Sequence, residues 1–194
     1  AERSWKYLKA ANVPAMFYIS KLDEEHGDFY KVLGDLQAKY GSIVCPVVAP
    51  MSDGTGVIDL VHNVAYQTKG GKTAKIPVPA ADADKVAELR EALMETAAGA
   101  SEELMEKYFE EMELCEADIV TGIKLGMKDR SVVPVVCGAA MANIGTEAVL
   151  QAVCDYVPAP DVDPAAPTLA FVFKTVSDQF GKYSFVKVMG GKIT

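Results

Sequence analysis

Two short apolar runs set the terms for this fold. Residues 15–19 (A-M-F-Y-I) follow Pro14 and give way at once to Ser20-Lys21-Leu22-Asp23. Residues 132–137 (V-V-P-V-V-C) end in Gly138-Ala139-Ala140. A continuous apolar strand that stops at a polar or small-residue loop reads as a buried parallel strand with a ligand site at its C-terminal end. A helix is predicted after each loop. The first runs from about 28 to 40, with Phe29, Val32, Leu33 and Leu36 as its apolar stripe and Gly41 as its stop. The second runs from about 146 to 156. The fold class that follows is α/β.

Between the two strand–loop–helix units the pattern changes. Residues 43–79 read as β structure broken by Pro and Gly, with Lys69-Gly70-Gly71-Lys72 as a hairpin tip between strands at 64–67 and 74–78. Residues 82–127 read as helical. Val86, Leu89, Leu93 and Ala97 keep helical spacing, and Gly99 breaks the run. Ser101 can cap the next helix, with Glu102 and Glu103 at its positive end. Leu104, Met105, Tyr108, Phe109 and Met112 form a second stripe, and Ile119, Val120 and Ile123 a third. Met and aromatic residues at this spacing are read as helix-packing core. Beyond the last helix, Pro158, Pro160, Pro164 and Pro167, with Asp161 and Asp163 between them, make a stiff linker. Two antiparallel strands are predicted at 169–173 and 184–188, around a turn at 178–182.

Charge and cysteine usage exclude several function classes. The net charge of −8 repels phosphate backbones, so direct nucleic-acid binding over most of the surface is not expected. Cys45, Cys115, Cys137 and Cys154 stand far apart in apolar contexts and read as buried, reduced thiols. His26 and His62 supply no zinc spacing. Charges, Gly or Pro interrupt every apolar stretch, and residues 1–11 do not resemble a signal peptide, with Trp5, Tyr7 and Leu8 scattered through a polar start. No membrane contact is expected, and the localisation expected is cytoplasmic. Both chain ends read as arbitrary, so an internal piece of a longer protein is expected.

The string Ser20-Lys21-Leu22-Asp23 is similar to the N-K-x-D motif with which GTPases read guanine. A carboxylate can accept two hydrogen bonds at once, from the ring N–H and the exocyclic amine of guanine. Adenine offers neither donor there. It would leave the aspartate unpaired, at a cost on the order of 1–3 kcal/mol or more. The lysine between can lay its aliphatic stem over the base. A Lys and an Asp beside a strand end are common on surfaces, so this string alone decides little. The Gly138-Ala139-Ala140 turn adds a second half, because only small side chains let a backbone N–H reach the guanine oxygen.

Read from end to end, the chain resembles elongation factor G, from just before its base-reading motif. The matching strings are Val13-Pro14 ahead of Lys21-Leu22-Asp23, then Asp28-Phe29, Gly56-Val57-Ile58-Asp59-Leu60, and Glu103-Leu104-Met105-Glu106-Lys107-Tyr108. Val133-Pro134-Val135-Val136-Cys137-Gly138, Asp155-Tyr156-Val157-Pro158-Ala159-Pro160 and Phe180-Gly181-Lys182 follow. Their order and spacing carry the resemblance over essentially the whole chain.

The resemblance implies a partial P-loop GTPase domain made of its late strands and helices, with an α+β insertion and the first strands of a β-barrel domain. Residues 1–45 and 129–160 would belong to the GTPase domain, 46–128 to the insertion, and 161–194 to the linker and barrel start. It implies Ser20, Lys21, Asp23, Gly138, Ala139 and Ala140 as the nucleotide-binding residues. GTP or GDP with Mg2+ would be the ligand of the parent protein. The ribosome, through its large subunit and acidic stalk protein, would be the partner. Two positions depart from the family: Ser20 stands where Asn is usual, and Ala139-Ala140 where Ser-Ala is usual. A hydroxyl is shorter than an amide and has fewer donors, so guanine selectivity is expected to persist with lowered affinity.

The phosphate end is not in the chain. Gly70-Gly71-Lys72-Thr73 mimics the end of a G-x-x-x-x-G-K-[ST] loop, but Tyr66 occupies the position of the first glycine. No catalytic residue is therefore expected here, nor GTPase activity, and nucleotide affinity is expected to be so weak that none stays bound to this piece on its own. An incomplete sheet leaves an unpaired edge and an exposed apolar face, which predicts pairing with a second copy or a rearranged GTPase portion. Two other readings stand beside this one. The helices at 82–127 could act as a protein-interaction module for the stalk, or the parent could be a related ribosomal-protection or release-step GTPase.

Overall fold

A computed structural model describes residues 2–159 and 163–193; Pro160 and Asp161 of the predicted linker lie outside them. The chain falls into two compact units, Ala1–Pro158 and Ala159–Thr194.

The first unit is built on two sheets. A three-stranded parallel sheet has the order β1 (Phe17–Ile19), β7 (Val133–Cys137), β2 (Val44–Pro46). Phe17 pairs with Val135 and Ile19 with Cys137 on one side of β7, and Val44 pairs with Val133 on the other. Every residue of β7 is buried, which is why its sequence is apolar without alternation. The chain then leaves this sheet in one step. Val47 N–H still donates to Val135 O at 2.9 Å, and Val48 already pairs antiparallel with Asp59. The second sheet is an antiparallel meander of β3 (Val48–Pro50), β4 (Gly56–Asp59), β5 (Val64–Lys69) and β6 (Lys72–Pro77). Its last turn has Gly70 at φ 58° and Gly71 at φ 75°, the two positive values that a tight hairpin turn needs. The GKT-like string is therefore a hairpin tip leading into β6, not a loop opening a helix.

Helices cover these sheets. α2 (Phe29–Tyr40) starts where the Asp28 carboxylate accepts from Lys31 N–H at 3.0 Å, and it ends at Gly41. α3 (Ala83–Ala98) buries Val86, Leu89, Leu93 and Ala97, the residues its period predicts. Arg90 on this helix donates to the carbonyls of Leu60 and Val61 and ties it to the meander. α4 (Glu102–Glu111) is capped by Ser101, whose hydroxyl accepts from Leu104 N–H at 3.2 Å. α5 (Glu116–Asp129) and α6 (Thr146–Tyr156) complete the layer. Asp59, buried at the end of β4, accepts from the backbone N–H groups of Val61 and His62, and His62 Nδ1 lies 2.8 Å from its other oxygen. A buried carboxylate is tolerated when its lone pairs are used in this way.

The structure corrects several expectations. The polar start is a helix, α1 (Glu2–Ala10). It has no buried residue, but Trp5 stacks on Phe17 and packs at a tilt on Tyr40, at centroid distances of 5.4 and 4.7 Å. Phe109 and Met112 are not core: they are 70% and 68% exposed, and Met112 stands beyond the end of α4 in the left-handed region. Cys45 and Cys137 are buried, but Cys115 and Cys154 are exposed. Burial pushes the Cys45 thiol up to about 12 and the Cys137 thiol up as well, so these two are inert.

In the second unit, β8 (Leu169–Asp178) and β9 (Gly181–Gly190) are twice as long as the sequence suggests. They form a ribbon whose turn is closed by Asp178, which accepts from Phe180 and Gly181 N–H. A register shift lies between Val172 and Lys174, where one residue bulges out of the ladder.

Candidate functional site

The parallel pairing of β1 with β7 places the two predicted loops side by side. Gly138 N–H donates to Ile19 O at 3.0 Å, continuing the ladder past the strand ends. Leu22 N–H then donates to Gly138 O at 3.4 Å. The loop after β1 and the loop after β7 are thus hydrogen-bonded to each other at the C-terminal edge of the sheet. This is the edge where open parallel sheets hold their ligands.

Each loop is closed by its own bonds. In the first, Glu24 N–H donates to Lys21 O and Gly27 N–H to Glu24 O, at 3.2 and 2.9 Å. Lys21 carries φ 64°, a left-handed value that a long side chain adopts only under local constraint. In the second, Ala139 and Ile144 exchange both backbone hydrogen bonds, at 2.9 and 3.0 Å. The bend is fixed from below by Ile144, a residue that no motif marks. Gly138 is required there, since a Cβ on it would lie 2.3 Å from Ile144 O.

The closure decides which groups remain free. The Ala139 N–H is spent on Ile144. The Ala140 N–H donates no hydrogen bond among the described residues, and Ala140 is exposed while Gly138 and Ala139 are buried. Ser20, Lys21 and Asp23 are exposed too. The Asp23 carboxylate has no hydrogen bond or ion pair among the described residues, and Lys21 meets only Glu24, at 4.0 Å on the surface. Such a pair contributes little. An uncommitted carboxylate on one loop and an uncommitted N–H on the other form an acceptor–donor pair.

Sequence reasoning passed over Tyr18. Its ring is about half exposed. Burial, then Cys137, then the negative charge of Asp23 raise its ionisation above the ordinary phenol value. Beside the loop lies a cleft of about 890 Å3, reached by Leu22 and Tyr30 from one side and by Met51, Ser52, Asp82 and Lys85 from the other. Asp82 is buried there and accepts from Ser52 N–H at 3.0 Å. Among the described residues no group of His, Cys, Asp and Glu could hold a metal ion, and no helix is long and apolar enough to cross a membrane.

No protein-family model matches the chain. A solved chain from Thermus thermophilus, described only as the crystal structure of ttk003000868, is similar to it with a TM-score of 0.83 and 27% sequence identity. The match takes in 98% of this chain and 29% of that one. The mixed α/β fold is therefore shared with a much longer solved chain, of which this one spans less than a third.

Proposed function

We propose that this chain is the guanine-reading part of a translational GTPase of the elongation factor G type, whose phosphate-binding and catalytic parts lie in other segments of the parent protein. The observation that carries the reading is the bonded pair of loops. Leu22 N–H to Gly138 O and Gly138 N–H to Ile19 O bring the Asp23 loop and the Ala140 N–H to one edge of one sheet. The residues fit the ligand: a free carboxylate for the two donors of guanine, and a free backbone N–H for its oxygen. The likeness to a much longer chain agrees with a piece of a multidomain protein. In this reading Mg2+, held by those other segments, would neutralise the negative charge of the phosphates. The residues of this chain only bind and orient the base.

The test is a nuclear magnetic resonance titration of the chain with guanosine monophosphate and, separately, adenosine monophosphate at millimolar concentration. The amides of residues 20–23 and 138–140 are expected to shift with the guanine nucleotide and not with the adenine one. Equal shifts with both, or none with either, would sink the reading. Calorimetry with GDP is expected to show no submicromolar binding.

A second reading, that the helical layer docks the acidic stalk protein, has one observation in its favour. Phe109 is 70% exposed on α4, in a shallow apolar groove with Met105; Glu102 and Glu106 beside it would oppose an acidic partner, so the contact would rest on the apolar anchor. Phe109→Ser is expected to weaken retention of the stalk protein in a pull-down severalfold, as removal of an exposed aromatic anchor does. Unchanged retention would leave this surface without that role.

A further inference from the structure

We propose that Tyr18 is a base-binding residue, whose hydroxyl supplies the hydrogen bond to the imidazole edge of the purine that the short side chain of Ser20 cannot reach. The inference rests on the guanine reading above and deepens it.

Successive side chains of β1 point to opposite faces. Phe17 packs on Trp5 and Tyr40, and Ile19 is buried, so these two belong to one face. Tyr18 and the position of Ser20 belong to the other. A phenol is long enough to run along that face past the strand end, and it does so. A Cβ placed on Gly138 would stand 3.1 Å from the Tyr18 hydroxyl. That hydroxyl is therefore level with the bend, one strand over from Ser20, and not down among the strand residues. It donates and accepts no hydrogen bond among the described residues, and the ring is 44% exposed. Gly138 O accepts from Leu22 N–H, so a hydroxyl beside Gly138 stands next to the loop that carries Asp23.

Chemistry then limits what the hydroxyl can do. A phenol O–H is a donor to an acceptor nitrogen or oxygen. The purine acceptors that neither Asp23 nor the Ala140 N–H addresses are N3, on the sugar side, and N7, which lies beside the oxygen assigned to the Ala140 N–H. Both guanine and adenine carry N7, so a bond there adds affinity without base selectivity. Asp23 would supply the selectivity. The two roles are separable in an experiment.

The probes are guanosine monophosphate and its 7-deaza analogue, in which a C–H replaces N7. Each is titrated into the 194-residue chain and into Tyr18→Phe, following the amides of residues 20–23 and 138–140. Loss of one neutral hydrogen bond is expected to weaken binding roughly two- to tenfold. The deaza analogue should weaken by that factor with the wild-type chain, and Tyr18→Phe by the same factor with the natural nucleotide. The variant should then show no further loss with the analogue. Equal affinity of the wild-type chain for both probes overturns the assignment, as does a variant that binds guanosine monophosphate like the wild type. A wild-type chain that responds to neither probe overturns the guanine reading itself. The analogue arm needs no substitution, so a misfolded variant cannot hide the answer.

Discussion

Replacing Tyr156 by alanine is expected to cost about 3–5 kcal/mol of stability, the range for removing a large buried aromatic side chain. Tyr156 is the last residue of α6 and is 1% exposed. Its position makes the loss local to a seam. Burial first, and then the charges of Asp59, Asp155 and Glu116, push its ionisation far above the phenol range, and Cys45 adds to the effect. Helix α6 packs on β7, β4 and α5, and His62 meets Asp59 at the end of β4, Glu116 at the start of α5 and Asp155 beside Tyr156, so the ring lies where these elements meet. There the parallel sheet passes into the meander and its helices. A cavity at that point detaches two layers from each other. Native domains hold only about 5–15 kcal/mol in all, so the variant should unfold at a much lower urea concentration than the wild type. Tyr156→Phe keeps the ring and should stay within about 1.5 kcal/mol. A Tyr156→Ala chain that loses less than that would show that the seam is not packed as described.

The parts of the fold that the sequence discloses are those in which burial imposes a period. The stripe of Val86, Leu89, Leu93 and Ala97 is buried as read, and α6 occupies the span read for it, because one face of each helix meets a core. β7 is likewise dictated by burial on both faces, whereas β1, read as buried, is an edge strand that leaves Tyr18 exposed on one of them. Where burial is partial, the pattern misleads. Phe109 continues the α4 stripe in sequence but lies beyond the face that is covered. α1 escapes a reading by period because only Trp5 gives it an aromatic partner. In β8 and β9, Lys174, Thr175 and Ser177 interrupt the apolar run, and the strands extend through them because the ladder, not a core, defines their length. At the site, the types of Ser20, Lys21 and Asp23 could be read from chemistry. What the sequence could not disclose was which N–H of the bend stays free, since that depends on Ile144 consuming the Ala139 amide. Nor could it disclose the reach of Tyr18, which requires knowing that Gly138 stands at the level of its hydroxyl.

Gly138→Ala is expected to damage stability and the response to guanosine monophosphate together. The new Cβ would stand 2.3 Å from Ile144 O and 3.1 Å from the Tyr18 hydroxyl. The phenol can swing away, but the carbonyl cannot, because it accepts from Ala139 N–H at 2.9 Å and is part of the bridge that makes the bend. Relief requires either breaking that bridge or moving Gly138 away from Ile19 and Leu22. Overpacking of this kind costs about 1–3 kcal/mol, which lowers the midpoint of a domain of this size by roughly 2–4 °C for each kcal/mol. Either route also shifts the Ala140 N–H and separates the two loops, so the nucleotide-dependent shifts at residues 20–23 and 138–140 should vanish. Ala139→Gly serves as the contrast: it removes a buried methyl but leaves the bridge intact, and should retain the response at reduced stability. A Gly138→Ala chain that melts like the wild type and still responds to the nucleotide would mean that the bend is looser than its hydrogen bonds indicate, and that the alignment of its free N–H with Asp23 is not set by the backbone.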